Sequence, residues 1–144
     1  MDWLRLSVDY GVIGLLLLLS FISFGIGIER LLFYRNLKLE NFKSKQELEM
    51  ELTKGLFIIA STASNAPYVG LLGTVLGIML TFYTIGQEGF VDTQKVMVGL
   101  ALALKATAVG LLVAIPSSVL YNYLLRKVRE KLTLWEVQNG RERV

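Results

Sequence analysis

The chain has 144 residues, of which 53% are hydrophobic and only 19% are charged. Ordinary soluble domains carry more charge and fewer apolar residues, so this composition excludes most of them. Cysteine and histidine are both absent, which excludes thiol nucleophiles, imidazole bases, disulfides and the commonest zinc ligands. We therefore predict a membrane protein without a metal or cofactor site.

Three stretches of the chain are long and apolar enough to cross a bilayer. Residues 10–28 and 55–87 contain no charge, and residues 96–125 contain only Lys105. Because about 20 apolar residues span the hydrocarbon core, they predict three membrane helices in a single all-α membrane domain, residues 1–144. The predicted spans are residues 8–33, 67–86 and 95–123, with a cytoplasmic arm at 34–66 and a cytoplasmic helical tail at 124–144.

Basic residues are distributed unevenly around these spans. The arm and the tail hold most of them, whereas residues 1–10 hold only Arg5. By the positive-inside rule, the N-terminus lies outside and the arm and C-terminus lie in the cytoplasm. This basic flank is expected to contact anionic lipid rather than nucleic acid, because its charges border membrane helices and alternate with glutamate. Its members are Arg30, Arg35, Arg126, Lys127, Arg129 and Lys131.

The first span, at about residues 7–33, is interpreted as a retained helix. A cleaved signal peptide is the alternative, but the apolar run is longer than usual and no small-residue cleavage site follows it. In the arm, Leu48 and Leu52 are four residues apart, and the tail carries Leu124, Leu125, Val128 and Leu132 on one side. We expect these apolar faces of arm and tail to pack on each other.

The second span is apolar, but one of its faces is small and hydroxylated. Gly70, Thr74, Gly77 and Thr81 follow one another at spacings of four, three and four, so they share one side of a helix, with Gly73 nearby. Lipid offers a hydroxyl no hydrogen bond. This face should therefore meet protein, a partner helix or water.

Two prolines interrupt the helical pattern. Pro67 could begin a new helix after an Asn65 cap, or it could kink one continuous helix that starts in the cytoplasm. We favour the continuous, kinked helix. Pro116 is expected to kink the third helix near the inner leaflet.

The third span carries a second small and polar stripe. The short outer turn makes the second and third helices antiparallel neighbours, and Thr74 and Thr107 each lie about a dozen residues from it, near mid-bilayer. Their hydroxyls could face each other or line a hydrated path. Alternatively, each bonds the carbonyl four residues earlier in its own helix and has no further role. The stripe consists of Ala103, Thr107, Gly110, Ala114 and Ser117.

Lys105 is the only charged residue well inside a predicted span. A charge at that depth is costly, so its ammonium should snorkel, contact water or pair with a carboxylate. It lies about 200° from Thr107 around a helix, so the two side chains cannot face the same pore. The apolar stretches 10–28, 55–87 and 96–125 contain no Asp or Glu, so Lys105 is a candidate charge partner for another subunit or protein.

Two segments of the second and third helices carry a resemblance to a known family. Residues 66–82 read APYVGLLGTVLGIMLTF, and residues 104–122 read LKATAVGLLVAIPSSVLYN. Both resemble the hallmark segments of the ExbB/TolQ family of inner-membrane proton channels, which is related more distantly to the flagellar stator protein MotA. They occur in the expected order and topology, and within the family the chain looks most like ExbB.

The resemblance implies a homopentameric helical ring around a central pore lined by the second and third helices. Transmembrane helices of an ExbD- or TolR-type partner would sit inside it, with an aspartate that carries protons. The family's pore threonines match Thr74 and Thr107. Proton flow would drive motion of the partner and, through TonB, energise outer-membrane uptake of iron chelates and vitamins. The remaining pore-lining or helix-packing positions are Gly70, Gly73, Gly77, Thr81, Ala103, Gly110 and Ala114.

Two features depart from the family pattern. ExbB proteins commonly have a glutamate five residues before the second pore threonine, where this chain has Leu102. Lys105 lies one turn after Leu102 and has the opposite charge to the family's glutamate. A proton role of that glutamate is therefore not inferred for this chain. The arm is also much shorter than usual, which predicts a reduced cytoplasmic cage.

The sequence leaves several functions open. An ExbB-type subunit is the first, and a TolQ-type subunit that energises cell-envelope integrity and constriction is the alternative within the family. A non-conducting membrane scaffold, in which the stripes are only packing seams, is the alternative outside it. No phosphate-binding loop, acid pair within the spans or nucleophile elbow is present, so an enzyme is not expected.

Overall fold

Three long helices and one short helix make up the part of the chain that the structure describes. In a computed structural model, residues 2–142 and the side chains of residues 3–140 are described. Each long helix is apolar enough to cross a membrane, which confirms the prediction of an all-α protein with three candidate membrane helices. The end of the predicted tail, residues 143–144, lies outside the described residues. The elements are α1 (Asp2–Arg35), a 3-10 turn (Leu39–Asn41), α2 (Lys45–Leu52), α3 (Leu56–Glu88) and α4 (Thr93–Glu142).

The helices are longer than the predicted spans. α1 begins at Asp2 rather than near residue 7. α3 has 33 residues and α4 has 50, which correspond to about 50 and 75 Å at 1.5 Å per residue. A hydrocarbon core is about 30 Å thick, so both helices extend well beyond it.

Glycine and aspartate define the turn between α3 and α4. Gly89 adopts a left-handed conformation with φ of 77° and donates its N–H to the carbonyl of Ile85 at 3.2 Å, which ends α3. Asp92 then accepts the N–H of Gln94 at 3.0 Å and caps the start of α4. The two helices are therefore antiparallel neighbours, as predicted. We call this end of the bundle the turn end, and the end that carries α2 the arm end.

Both prolines lie within uninterrupted helices. α3 runs through Pro67 and α4 runs through Pro116. The continuous second helix is thereby confirmed over one that begins at Pro67. The bend that each proline is expected to cause remains a prediction.

The arm end has its own apolar core. Leu48 and Leu52 of α2 are fully buried against Leu124 and Val128 of α4, which confirms the predicted packing of arm on tail. Trp135, further along α4, joins the same core, and its indole N–H donates to the carbonyl of Phe42 at 3.2 Å. The core therefore fastens the arm to the extended part of α4.

Two side chains of α1 hold the end of α2. Arg30 donates to the carbonyl of Glu51 at 2.7 Å, binds the carboxylate of Glu29 at 2.6 Å and lies over the Phe33 ring. Tyr34 donates its hydroxyl to the carbonyl of Leu52. Carbonyls in the last turn of a helix lack partners within it, so these bonds cap α2. Arg30, predicted in the lipid-facing basic flank, is only 5% exposed and is committed to this contact.

Candidate functional site

The two small stripes meet in one seam between α3 and α4. The small, hydroxylated face of α3 packs on α4. Ala106 also belongs to the seam, although the sequence pattern did not single it out, because one alanine among several carries no distinct signal. The buried residues of the seam include Gly70, Gly73, Thr74, Gly77 and Thr81 on α3 and Ala103, Ala106, Gly110 and Ala114 on α4.

Glycine lets the two backbones touch in this seam. A Cβ atom added at Gly70 would lie 2.6 Å from the carbonyl oxygen of Ala106, and one added at Gly110 would lie 2.7 Å from that of Ala66. A Cβ at Gly77 would similarly lie 2.8 Å from a carbon of Ala103. Small residues permit this close approach in membrane helices, where packing and interhelical hydrogen bonds replace the hydrophobic effect.

A pair of threonine hydroxyls lies at the middle of the seam. Thr74 donates to the carbonyl of Ala103 on the opposite helix at 2.9 Å, and its hydroxyl is in direct contact with that of Thr107. The Thr107 hydroxyl also lies 3.5 Å from the carbonyl of Gly70. Each hydroxyl has one proton, so the arrangement is satisfied when Thr107 donates to Thr74 and Thr74 donates to Ala103.

The hydroxyl pair is closed on one side and open on the other. Thr74 is buried, whereas Thr107 is half-buried and reaches the surface of the single chain. Of the alternatives that the sequence leaves open, the hydroxyls of Thr74 and Thr107 face each other, and that of Thr74 also lies 3.3 Å from the carbonyl of Gly70 in its own helix. Their place in a pore remains a prediction, because a pore requires further chains.

Thr81 connects the seam to α1 at the turn end. It donates to the carbonyl of Gly77 at 2.9 Å and accepts from the guanidinium of Arg5 at 2.8 Å. These side chains border a polar cleft of about 500 Å³ that includes the ion pair of Lys95 with Glu88 at 2.6 Å. Arg5 was not predicted as a site residue. Its one signal is that it is the only basic residue among the first ten.

Lys105 lies apart from the hydroxyl pair. Its side chain is exposed on the surface of α4, and no ion pair joins it to a carboxylate within the described part of the chain. Thr107 faces a different side of the same helix, as the spacing predicts. An exposed ammonium at this depth still requires water or an acidic partner from outside the chain.

The rest of the basic flank lies at the arm end. Arg35, Arg126 and Arg129 are exposed, and Lys127 and Lys131 are half-buried. Arg126 and Lys127 approach the carboxylate of Glu130 at 3.5 and 3.7 Å. Such surface ion pairs contribute little stability, so these side chains are available to other ligands.

Comparison with known proteins identifies the relatives of this chain. It is 64% identical over 140 residues to the biopolymer transport protein ExbB of Aquifex aeolicus (strain VF5), a match that covers 97% of this chain and 95% of that protein. It is 52% identical over 130 residues to the putative biopolymer transport protein ExbB-like 2 of Helicobacter pylori (strain ATCC 700392 / 26695), covering 90% and 87%. The first match covers nearly the whole of both chains and therefore extends through the arm.

A longer relative matches only in part. The ExbB protein of Salmonella typhimurium (strain LT2) is 42% identical over 85 residues, which cover 58% of this chain but 35% of that protein. Residues 27–137, which include α2, α3, the seam and most of α4, match the MotA/TolQ/ExbB proton channel family. A family match over most of the chain, together with near full-length relatives, shows that this protein belongs to the MotA/TolQ/ExbB proton channel family.

Proposed function

We propose that this protein is the ExbB-type channel and stator subunit of an inner-membrane system that transduces the proton motive force. The observation that carries the proposal is the Thr74–Thr107 hydroxyl pair, placed at the middle of a glycine-rich seam between two candidate membrane helices. The names of the near full-length relatives favour ExbB over TolQ. No enzymatic role is proposed.

The proposed assembly is a homopentamer whose central pore is lined by α3 and α4. The open side of Thr107 supports this arrangement, because it lets the hydroxyl reach a pore while Thr74 stays in the seam. An ExbD- or TolR-type single-span protein occupies the pore and carries the proton on an aspartate. It transmits motion to a TonB-like protein, which energises outer-membrane uptake of iron chelates and vitamins. The N-terminus lies in the periplasm and the C-terminus in the cytoplasm, where the basic flank meets anionic lipid.

Deleting the gene and restoring it on a plasmid tests this function. We expect deletion to abolish TonB-dependent uptake of a ferric chelate and the restored chain to recover it. Native mass spectrometry of the tagged chain should show five copies together with a single-span partner. Normal uptake combined with defects in envelope constriction would favour the TolQ-type alternative. The proposal would be contradicted if the chain purified as a monomer and deletion of its gene affected neither uptake nor envelope constriction.

Lys105 is proposed to pair with a carboxylate of another subunit or of the partner protein. Lys105→Ala should preserve membrane insertion but weaken assembly or partner retention by about tenfold, the factor that follows from losing about 1.4 kcal/mol. Lys43→Ala, which removes an exposed lysine of the arm, is the matched control and should leave both unchanged. Native mass spectrometry that finds the same subunit count and the same partner retention in Lys105→Ala would disprove the pairing.

A further inference from the structure

One hydroxyl in the interior of the bundle has no partner in the protein. Ser23 of α1 is completely buried, at 0% exposed. Within the part of the chain that the structure describes, its Oγ is the one buried side-chain nitrogen or oxygen without a hydrogen bond. A buried hydroxyl that loses its hydration without gaining a bond is unfavourable. Ser23 therefore marks a position where a further hydrogen-bonding group is expected.

Two other buried hydroxyls have unused acceptor capacity. Thr62 of α3 donates to the carbonyl of Ile58 at 2.9 Å, and Ser117 of α4 donates to that of Val113 at 2.8 Å. Both side chains are almost fully buried, at 2% and 0% exposed. A hydroxyl that has donated its only proton keeps lone pairs that accept. Thr62 and Ser117 can therefore each accept a hydrogen bond from a third group.

The packing of α1 on α4 places Ser23 level with Ser117. Gly27, one turn beyond Ser23, meets Leu120, which is one turn beyond Ser117. A Cβ atom at Gly27 would lie 2.6 Å from a methyl carbon of Leu120. Because α1 and α4 run in the same direction, Ser23 and Ser117, each one turn before these contacting residues, are also level with each other.

The packing of α3 on α4 places Thr62 at the same level. Ala66 and Ala114 belong to one buried cluster with Leu16 of α1. α3 and α4 are antiparallel, and a Cβ atom at Gly110 would lie 2.7 Å from the carbonyl oxygen of Ala66, so Thr62 is level with Ala114, and Ser117 follows Ala114 within one turn. The three buried hydroxyls therefore lie within about one helical turn of each other in the middle of the three-helix core.

We propose that an ordered water molecule binds among Ser23, Thr62 and Ser117 and links α1 to the α3–α4 pair. The water accepts a hydrogen bond from the Ser23 hydroxyl and donates hydrogen bonds to the oxygens of Thr62 and Ser117. This gives about three hydrogen bonds, the usual number for a buried water. A cleft of about 200 Å³ reaches Thr62 from the surface and is lined by Leu19, Phe57, Ile58, Ser61, Thr62 and Asn65.

The chemistry of the site selects water over a cation. All three side chains are neutral hydroxyls, and a cation buried among neutral oxygens without a counter-charge is costly. The water does not depend on the proposed pore, because its three ligands come from helices of one chain. It adds a polar contact of α1 to the apolar contacts around Leu16.

Thermal unfolding of the purified full-length chain in detergent tests the water site. Ser23→Ala and Ser117→Ala should each lower Tm by about 3 °C, because each deprives the water of a partner. The double variant should lower Tm by clearly less than the sum of the two, since the water is already lost in either one. Ser118→Ala, which removes the exposed neighbouring hydroxyl, is the control and should leave Tm unchanged.

Three results would overturn the proposal. A Tm of Ser23→Ala that is unchanged or raised would mean that the hydroxyl is simply unsatisfied. Strictly additive losses would mean that each hydroxyl bonds only its own helix. A Tm of the unsubstituted chain that depends on Na⁺ rather than K⁺ at equal ionic strength would point to a cation. If Ser23→Ala does not fold, Ser23→Cys, which replaces the hydroxyl with a slightly larger and weaker donor, is measured by the same criteria.

Discussion

Replacing Gly70 with alanine is expected to lower the Tm of the purified chain by about 10 °C. The new methyl group would lie 2.6 Å from the carbonyl oxygen of Ala106, so α3 and α4 must move apart. Overpacking typically costs about 1–3 kcal/mol. The cost here belongs at the upper end because the obstacle is backbone and not a flexible side chain, and about 3 kcal/mol corresponds to a shift of this size. Separation of the helices also disturbs the bond between Thr74 and Thr107.

Two further glycine variants make this experiment specific. Gly14→Ala in α1 is the control, because a Cβ there meets no atom within 4 Å and alanine favours the helix. Its Tm should be unchanged or slightly raised. Gly110→Ala should be destabilising like Gly70→Ala, and combining the two should cost less than their sum, because either one already opens the seam. A wild-type Tm for Gly70→Ala would show that the helices do not approach so closely.

The seam could be predicted from the sequence because its signal is local. Gly70, Thr74, Gly77 and Thr81 share one face of a helix at any tilt or depth, and lipid offers no hydrogen-bond partner to the two hydroxyls. The short turn that ends at Asp92 then fixes which helix lies opposite. Periodicity and turn length together therefore determined the pairing of α3 with α4.

The contacts of Arg30 and Arg5 could not be predicted in the same way. Both arginines stand at positions where a basic residue also suits a membrane flank, so their residue type does not distinguish the two roles. Their partners, the carbonyl of Glu51 and the hydroxyl of Thr81, lie 21 and 76 residues away. Only the three-dimensional packing of α1 brings these groups together.

The lack of a hydrogen-bond partner for the Ser23 hydroxyl could not be predicted from the sequence either. Ser23 belongs to an apolar stretch in which serine is unremarkable, because a membrane serine usually bonds a carbonyl of its own helix. Thr62 and Ser117 follow that rule, and Ser23 does not. The difference depends on side-chain orientation, which helical spacing does not encode.

Replacing Thr107 with valine is expected to reduce TonB-dependent uptake at least tenfold while leaving the oligomer intact. Valine keeps the shape of threonine and removes the hydroxyl. Thr74 retains its bond to the carbonyl of Ala103 at 2.9 Å, so the seam loses about 1 kcal/mol at most. A proton path that runs past Thr107, in contrast, loses the group that can relay or solvate the proton. Uptake of a ferric chelate by the deletion strain that carries the variant measures the effect, and native mass spectrometry counts the subunits.

Thr84→Val distinguishes a lost proton path from a general loss of hydroxyls in α3 and α4. Thr84 donates to the carbonyl of Leu80 in its own helix at 2.8 Å, so its replacement should leave uptake near the wild-type rate. Thr107→Ser, which restores a hydroxyl at the same site, should recover most of the uptake. If Thr107→Val supports full uptake, the hydroxyl pair is a packing contact and the scaffold interpretation of the seam is correct. If the pentamer dissociates, the role of Thr107 is structural instead.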